Sequence, residues 1–255
     1  MSTVMRENEW AADMVRKCTL GKKPSETLKR VARYFMDEYH MDRSAARGRL
    51  ELFLLQCDPA ASPVRWREAL DRSVKFASKY PAINIESISV TAGEMKRIES
   101  LEGRQTQRLA FTLLCLAKYW NIVTGKDSFW VNTKDCEIME MANVKTSMKR
   151  QSQMYSVLSQ AGMIDFSRKV DNTSVRVCFA EDGETAMRIT DLRNLGYQYL
   201  MYQGEPFFVC EGCGITTKQA DGGNRRRQRY CPECAAAMKM RQTIECVMRC
   251  RSGKR

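Results

Sequence analysis

Two cysteine pairs near the C-terminal end place the strongest constraint on how this chain folds. Cys210 and Cys213 form one C-x2-C pair, Cys231 and Cys234 form a second, and 17 residues separate the two pairs. This spacing lets two short turns bring four thiolates to one tetrahedral metal ion. Gly212 and the glycine at 214 permit the tight backbone that such turns require. The pattern predicts a zinc ribbon with one zinc ion, and an iron site of the rubredoxin type is the alternative.

The predicted ligand set is closed, which limits what the ion can do. Four protein ligands leave no position for water or substrate, so the zinc is expected to be structural and not catalytic. The chain has eleven cysteines, and the remaining seven lack the paired spacing, including Cys246 and Cys250. We interpret these seven as ordinary residues of a protein in a reducing compartment, where disulfides are rare.

Apolar runs in the sequence are too short for a membrane protein. None approaches the roughly 20 residues that a bilayer span needs. The first ten residues mix charges and lack the apolar core of a signal peptide. We therefore expect a protein with no membrane partner, located in the cytoplasm.

Positive charge is concentrated at the two ends of the chain. The 42 basic and 30 acidic residues give a net charge of +12. Residues 1–84 carry 16 basic and 11 acidic residues, residues 85–203 carry 15 and 14, and residues 204–255 carry 11 and 5. A basic chain favours an anionic partner, most commonly nucleic acid. The nearly neutral middle region argues against one uniform DNA-binding face.

The first 84 residues show the periodicity of three short helices. Ser25 is predicted to cap a helix whose apolar stripe is Leu28, Val31, Phe35 and Tyr39. A second stripe spans 50–57, and Ser62 followed by proline opens a third helix. Five basic residues here have two interpretations, a phosphate-contacting face or a solvated surface, and the pattern favours the solvated surface. They are Lys22, Lys23, Lys29, Arg30 and Arg33.

The middle region begins with a capping box, Thr91 to Glu94, and then has the element order of a winged helix-turn-helix. The predicted order is helix (104–120), strand (128–132), helix (134–141), helix (145–160) and two β-like runs (163–170 and 174–180). The predicted fold class is therefore α+β and mainly helical. It comprises a helical N-terminal domain (1–84), a winged-helix-like domain (85–203), and a zinc ribbon with a trailing basic helix (204–255).

Three groups of polar residues are candidates for nucleic-acid contact. The helix over 145–160 is expected to turn Met148, Tyr155 and Leu158 inward. Its opposite face carries Thr146, Lys149, Arg150 and Gln153, residue types that suit bases and phosphates. Arg168 and Lys169 lie near the predicted hairpin tip, and the ribbon loop carries Arg225, Arg226, Arg227 and Arg229. The alternative is that any soluble amphipathic helix presents such residues to solvent, and that the arginine loop meets an acidic protein or confers solubility.

Little in the sequence favours catalysis. His40 is the only histidine, which excludes a two-histidine zinc enzyme, an HEXXH protease and an HNH-type nuclease. No GxxxxGK[ST] phosphate loop is present. The acidic residues Glu181, Asp182 and Glu184 suit a solvated hairpin turn better than a divalent-metal site. We therefore expect a protein that is not an enzyme.

Several segments together carry a resemblance to a known family. They are RQTQRLAFTLLCLAKYWN, WVNTKDCEIMEMANV, FSRKVDN, RNLGYQYLMYQGEPFFVCEGCG and RYCPEC. The chain resembles a family of uncharacterised proteins from bacteriophages and mobile elements of Firmicutes over most of residues 20–250. The resemblance implies a winged-helix-type core, a C-terminal zinc ribbon and a bacterial host cytoplasm. It supplies no mechanism, and it does not extend to the arginine run because that loop varies within the family.

These observations favour a non-enzymatic, zinc-containing protein that binds nucleic acid, with DNA favoured over RNA, in transcription control or replication. The alternative is a protein-interaction module that inhibits or adapts a host complex, such as a defence or transcription machine. The nearly neutral middle region motivates this alternative.

Overall fold

A computed structural model describes residues 3–167, 174–220, 228–251 and 253. It has the predicted α+β character with helices predominating, and it divides into two units, Met1–Ile88 and Ser89–Arg255. The three-domain division stays a prediction. Within the described residues, no helix combines the length and the apolar character that crossing a bilayer requires.

The first unit is built from four helices. They are α1 (Glu7–Arg16), α2 (Pro24–Glu38), α3 (Arg43–Cys57) and α4 (Pro63–Ala77). The predicted apolar stripes of α2, α3 and α4 do form its core, where residues such as Leu28, Phe53 and Leu70 are almost completely buried. Helix α1 has no counterpart in the prediction of three helices, although Ala11 is buried and Trp10, Met14 and Val15 pack against the core at helical spacing.

Two predictions about α2 are wrong. Ser25 does not cap the helix, since the helix begins one residue earlier, at Pro24, whose fixed φ suits a first turn. Tyr39 lies beyond the last helical residue and is 56% exposed. Two of the five basic residues are also not on a solvated surface, because Arg30 and Arg33 are buried beside the carboxylate of Glu7.

A short strand and the predicted capping box lie near the start of the second unit. Strand β1 (Ile88–Thr91) leads into α5 (Ala92–Glu99), and β1 pairs with β5 (Thr185–Ile189). The capping box is confirmed: Thr91 Oγ1 accepts from the backbone N–H of Glu94, whose carboxylate accepts from the N–H of Thr91. The buried carboxylate of Glu94 also accepts from Lys118 Nζ at 2.7 Å and from the N–H of Glu181 at 2.9 Å.

A three-stranded sheet and three helices follow. The elements are α6 (Arg104–Thr124), β2 (Trp130–Val131), α7 (Asp135–Met141), α8 (Met148–Gln160), β3 (Ile164–Phe166) and β4 (Val175–Val177). The strand order is β2-β4-β3, and both pairings are antiparallel. Helix α6 is the centre of this unit, with a buried run from Leu109 to Ala117.

Helix α8 is shorter than the predicted helix over 145–160. It begins at Met148 because Ser147 is the N-cap residue. The Ser147 backbone is extended, and its hydroxyl accepts a hydrogen bond from the N–H of Arg150. The predicted inner stripe is wrong at Met148, which is 83% exposed at the first helical position. Met154 and Leu158 are the residues that α8 buries.

The last elements contain the cysteine pairs. They are α9 (Leu195–Tyr202), β6 (Phe207–Val209), β7 (Thr216–Lys218) and α10 (Pro232–Arg251). Strands β6 and β7 form an antiparallel hairpin around the first cysteine pair. Residues 228–230, which precede the second cysteine pair, form no strand, and β7 pairs with the preceding strand β6. In α10, every residue from 235 to 250 is exposed.

Candidate metal centre

Four cysteine sulfurs meet where the β6–β7 hairpin approaches the start of α10. The Sγ atoms of Cys210, Cys213, Cys231 and Cys234 all lie within 4.8 Å of one another. The Sγ atoms of Cys213 and Cys231 are 3.7 Å apart. A tetrahedral ion with Zn–S bonds of about 2.3 Å requires S–S separations of about 3.8 Å. The cluster therefore has the size of a four-thiolate metal site.

Backbone N–H groups point at two of these sulfurs. The N–H of Cys231 donates to Cys210 Sγ at 3.2 Å, and the N–H of Cys234 donates to Cys231 Sγ at 3.4 Å. Cys231 directly precedes Pro232, the first residue of α10. Its sulfur therefore accepts from a first-turn N–H that has no partner within the helix. The positive end of the helix dipole favours a thiolate at this position.

The thiol pKa values show why the cluster suits a cation. Burial opposes ionisation of Cys210, but hydrogen bonds from the N–H groups of Cys231, Cys213 and Gly212 outweigh it and lower its pKa to about 6. Hydrogen bonds with Cys213 and Cys231 raise the pKa of Cys234 to about 12. Four negative charges this close repel each other, so the four thiols do not all ionise unless a cation balances them.

The turn that holds the first pair leaves no room for larger residues. A Cβ added to Gly212 would lie 3.0 Å from Cys234 Sγ and 3.1 Å from its Cβ. Gly214 has a φ of +72°, in the left-handed region, and its N–H donates to the carbonyl of Cys210 at 2.8 Å. The two glycines that the sequence singled out therefore have distinct roles, a close approach at 212 and a left-handed turn at 214.

Arg193 supports the cluster from outside the cysteine-containing segment, and the sequence prediction missed it. Its Nη2 donates to the carbonyl oxygen of Cys213 at 2.7 Å. Asp191 holds the guanidinium, with Nε at 2.8 Å from its Oδ2. Hydrogen bonding to Asp191 raises the pKa of Arg193, and the nearby Cys213 and Cys210 act in the same direction. The guanidinium is thus a fixed positive charge beside the sulfurs. Because Arg193 lies 20 positions from Cys213 and outside both cysteine pairs, the spacing of the cysteines does not reveal it.

The candidate nucleic-acid residues of α8 are only partly brought together. Lys149, Arg150 and Gln153 are exposed on the helix, and Arg150 Nη1 donates to Gln153 Oε1 at 3.3 Å. Thr146 is not on the helix but two residues before it, where it is half-buried and its carbonyl accepts from Gln151 Nε2. The four residues therefore do not share one helical face.

The other candidates give a limited picture. Arg229 forms an ion pair with Glu211, with Nε at 2.7 Å from Oε1, and both side chains are largely exposed. Five candidates lie outside the described residues: Arg168, Lys169, Arg225, Arg226 and Arg227.

The remaining chemically interesting residues are dispersed. In the described part of the chain, the four cysteines are the only group of three or more His, Cys, Asp or Glu residues arranged to hold a metal ion. Glu181, Asp182 and Glu184 are exposed. His40 is exposed just after α2.

Comparison of the chain with protein-family models, curated proteins and solved structures finds no match.

Proposed function

We propose that the four cysteines hold one structural zinc ion and that residues 204–255 form a zinc ribbon. The proposal is supported by the four sulfurs within 4.8 Å of one another and by the N–H groups directed at Cys210 and Cys231. The ligand set is all thiolate, which suits zinc or iron, and zinc is the ordinary occupant of such C-x2-C pairs. Metal analysis of the purified protein tests the assignment, since a red iron-loaded protein would contradict it.

We further propose that α6 to β4 form a winged helix. The order helix, strand, helix, helix, strand, strand and the sheet order β2-β4-β3 support this assignment. In this fold, α7 and α8 are the helix pair, and α8 occupies the position of the recognition helix.

The proposed function is non-enzymatic binding of nucleic acid, with duplex DNA as the expected ligand. The observation that carries it is the exposure of Lys149, Arg150 and Gln153 on α8. Arginine and glutamine read base edges, and lysine contacts phosphates. This binding would serve transcription control or replication, and the family resemblance favours only the setting, a phage or mobile element in a bacterial cytoplasm.

A salt titration of DNA binding tests this function directly. Phosphate contacts release counterions, so the logarithm of affinity must fall linearly as the logarithm of salt concentration rises. Binding of labelled duplex DNA, measured by fluorescence anisotropy at increasing salt, is expected to show this fall. Absence of binding at low salt would contradict the function.

A protein partner is the second candidate, because α8 also exposes apolar surface. Met148 is 83% exposed on α8 itself, and Phe166 on the next strand is 50% exposed. Desolvation of such side chains favours a protein surface over a polyanion. The test is recovery of a defined bacterial complex from nuclease-treated lysate, with Met148→Gln abolishing recovery. Unchanged recovery of the complex by this variant would count against binding of the partner through Met148.

A further inference from the structure

Two asparagines in left-handed conformation join the helix pair to the segment before α9. Asn143 follows α7 with a φ of +54°, and Asn194 precedes α9 with a φ of +51°. The Nδ2 of Asn143 donates to the Oδ1 of Asn194 at 3.0 Å, and both residues are half-buried. Asparagine tolerates this backbone region better than other non-glycine residues. The pair therefore fixes two turns to each other.

Each asparagine makes one further hydrogen bond that extends the connection. Asn143 Oδ1 accepts from the N–H of Tyr197 at 3.1 Å, in the first turn of α9. Asn194 Nδ2 donates to the carbonyl of Thr216 at 2.9 Å, in strand β7 of the hairpin that carries the first cysteine pair. The two side chains thus connect the α7–α8 turn to the metal-binding segment.

The neighbouring residue reaches a cysteine ligand itself. Arg193 donates to the carbonyl of Cys213, so residues 193 and 194 together hold two points of the β6–β7 hairpin. The contact between the two turns is also close in the backbone. A Cβ added to Gly196 of α9 would lie 1.9 Å from the carbonyl oxygen of Ala142, so the start of α9 packs closely against the end of α7.

The hairpin is too small to order itself. Its strands have three residues each, and an isolated two-stranded hairpin is marginally stable in water. In small metal-binding segments, the free energy of metal binding is also free energy of folding. Removal of the ion is therefore expected to loosen the carbonyls of Cys213 and Thr216, which are the acceptors of Arg193 and Asn194.

We propose that metal binding by the four cysteines is coupled to the order of the turn between α7 and α8, through Asn194 and Asn143. The ion thereby controls how α8 is presented to its ligand. The inference rests on the proposed metal site but not on the nature of the ligand of α8. Coupling of this kind is reciprocal, so the turn must affect metal affinity by the same factor that the metal affects the turn.

Hydrogen exchange of the full-length protein, with zinc bound and after chelation, tests the coupling. The amides of Asn143 and Val144, which close the end of α7, are expected to exchange about 5- to 150-fold more slowly with zinc bound. The Asn194→Gly variant keeps the left-handed backbone but lacks the side chain. It should still bind one zinc per chain, but the amides of Asn143 and Val144 should exchange at nearly the same rate with and without zinc.

A matched control and a reciprocal variant complete the test. Asn121 also makes side-chain hydrogen bonds, to Asp127, Ser128 and Phe129, so Asn121→Ala should leave the zinc-dependent protection unchanged. Asn143→Gly should weaken zinc affinity by the factor measured for protection, whereas a merely structural role would leave affinity unchanged.

The possible failures are distinguishable. If the wild-type protein binds no zinc, the proposed metal site is wrong. If it binds one zinc and the α7–α8 turn exchanges equally with and without the ion, the coupling is overturned. This wild-type comparison decides the matter even if a variant fails to fold.

Discussion

The N–H of Cys231 donates a hydrogen bond to the sulfur of Cys210 at 3.2 Å, across 21 positions of the chain. This contact joins the first residue of one cysteine pair to the first residue of the other. Both residues are buried, at 1% and 5% exposure, whereas the second cysteine of each pair is half-buried. The buried half of the metal site is thus formed by Cys210 and Cys231.

We predict that Cys231→Ser unfolds the segment around the cysteines but leaves the first unit folded. The serine hydroxyl is a poor zinc ligand, and the N–H of Cys234 loses its sulfur acceptor. Limited proteolysis should cut between 205 and 235, and residues 1–88 should remain resistant. Cys246→Ser is the control, because Cys246 is exposed on α10 outside the cluster. Equal proteolysis of both variants would contradict the prediction.

We predict that Arg193→Gln lowers zinc affinity by about 10- to 100-fold, the usual effect of removing an outer hydrogen-bond partner of a metal ligand. The variant loses the charge beside the sulfurs and weakens the bond to the Cys213 carbonyl. Competition with a chromogenic zinc chelator measures the affinity. Arg188→Gln removes the same charge from an exposed position in β5 and should leave affinity unchanged. Equal affinities for the two variants would remove Arg193 from the site.

We predict that Glu7→Ala destabilises the first unit by about 3–5 kcal/mol, as expected when one partner of a buried ion pair is removed. The Glu7 carboxylate lies 2.6 Å from Arg33 Nη2 and 3.3 Å from Arg30 Nε, and it accepts from the N–H of Ile83. Glu9→Ala is the control, because its pair with Arg6 is exposed and contributes less than about 1 kcal/mol. Urea unfolding measures both. Similar midpoints would contradict the prediction.

We predict that the double variant Lys149→Gln, Arg150→Gln weakens DNA binding and reduces the slope of affinity against salt by about one phosphate equivalent, that of Lys149. The double variant Lys96→Gln, Arg97→Gln on α5 makes the same charge change at exposed positions away from α8 and serves as the control. Loss of affinity by both variants to the same degree would indicate a nonspecific effect of net charge, and α8 would not be the binding element.

The sequence predicts local features of the second unit well because short-range chemistry determines them. The capping box at Thr91 follows from residue types that satisfy nearby backbone groups. The buried run of α6 follows from its dense apolar pattern. The four cysteines are predicted for the same reason, since paired spacing largely determines which sulfurs meet.

Long-range partners are not predictable in this way. Glu7 and Arg33 are 26 residues apart, and as single charges they resemble surface residues until the fold buries them together. Arg193 reaches Cys213 across 20 positions. Thr146 shows the opposite problem: periodicity places it on α8, but the hydroxyl of Ser147 starts the helix after it. Such a helix boundary depends on which of several adjacent polar residues becomes the N-cap, and the hydrophobic pattern does not show which one does.

Metal content is the most direct test of the central claim, that Cys210, Cys213, Cys231 and Cys234 form one structural metal site. Mass spectrometry of the wild-type protein under non-denaturing conditions should find one zinc ion per chain. The double variant Cys210→Ser, Cys231→Ser should carry none. Equal metal content in the two proteins, or a wild-type protein without bound metal, would contradict the account.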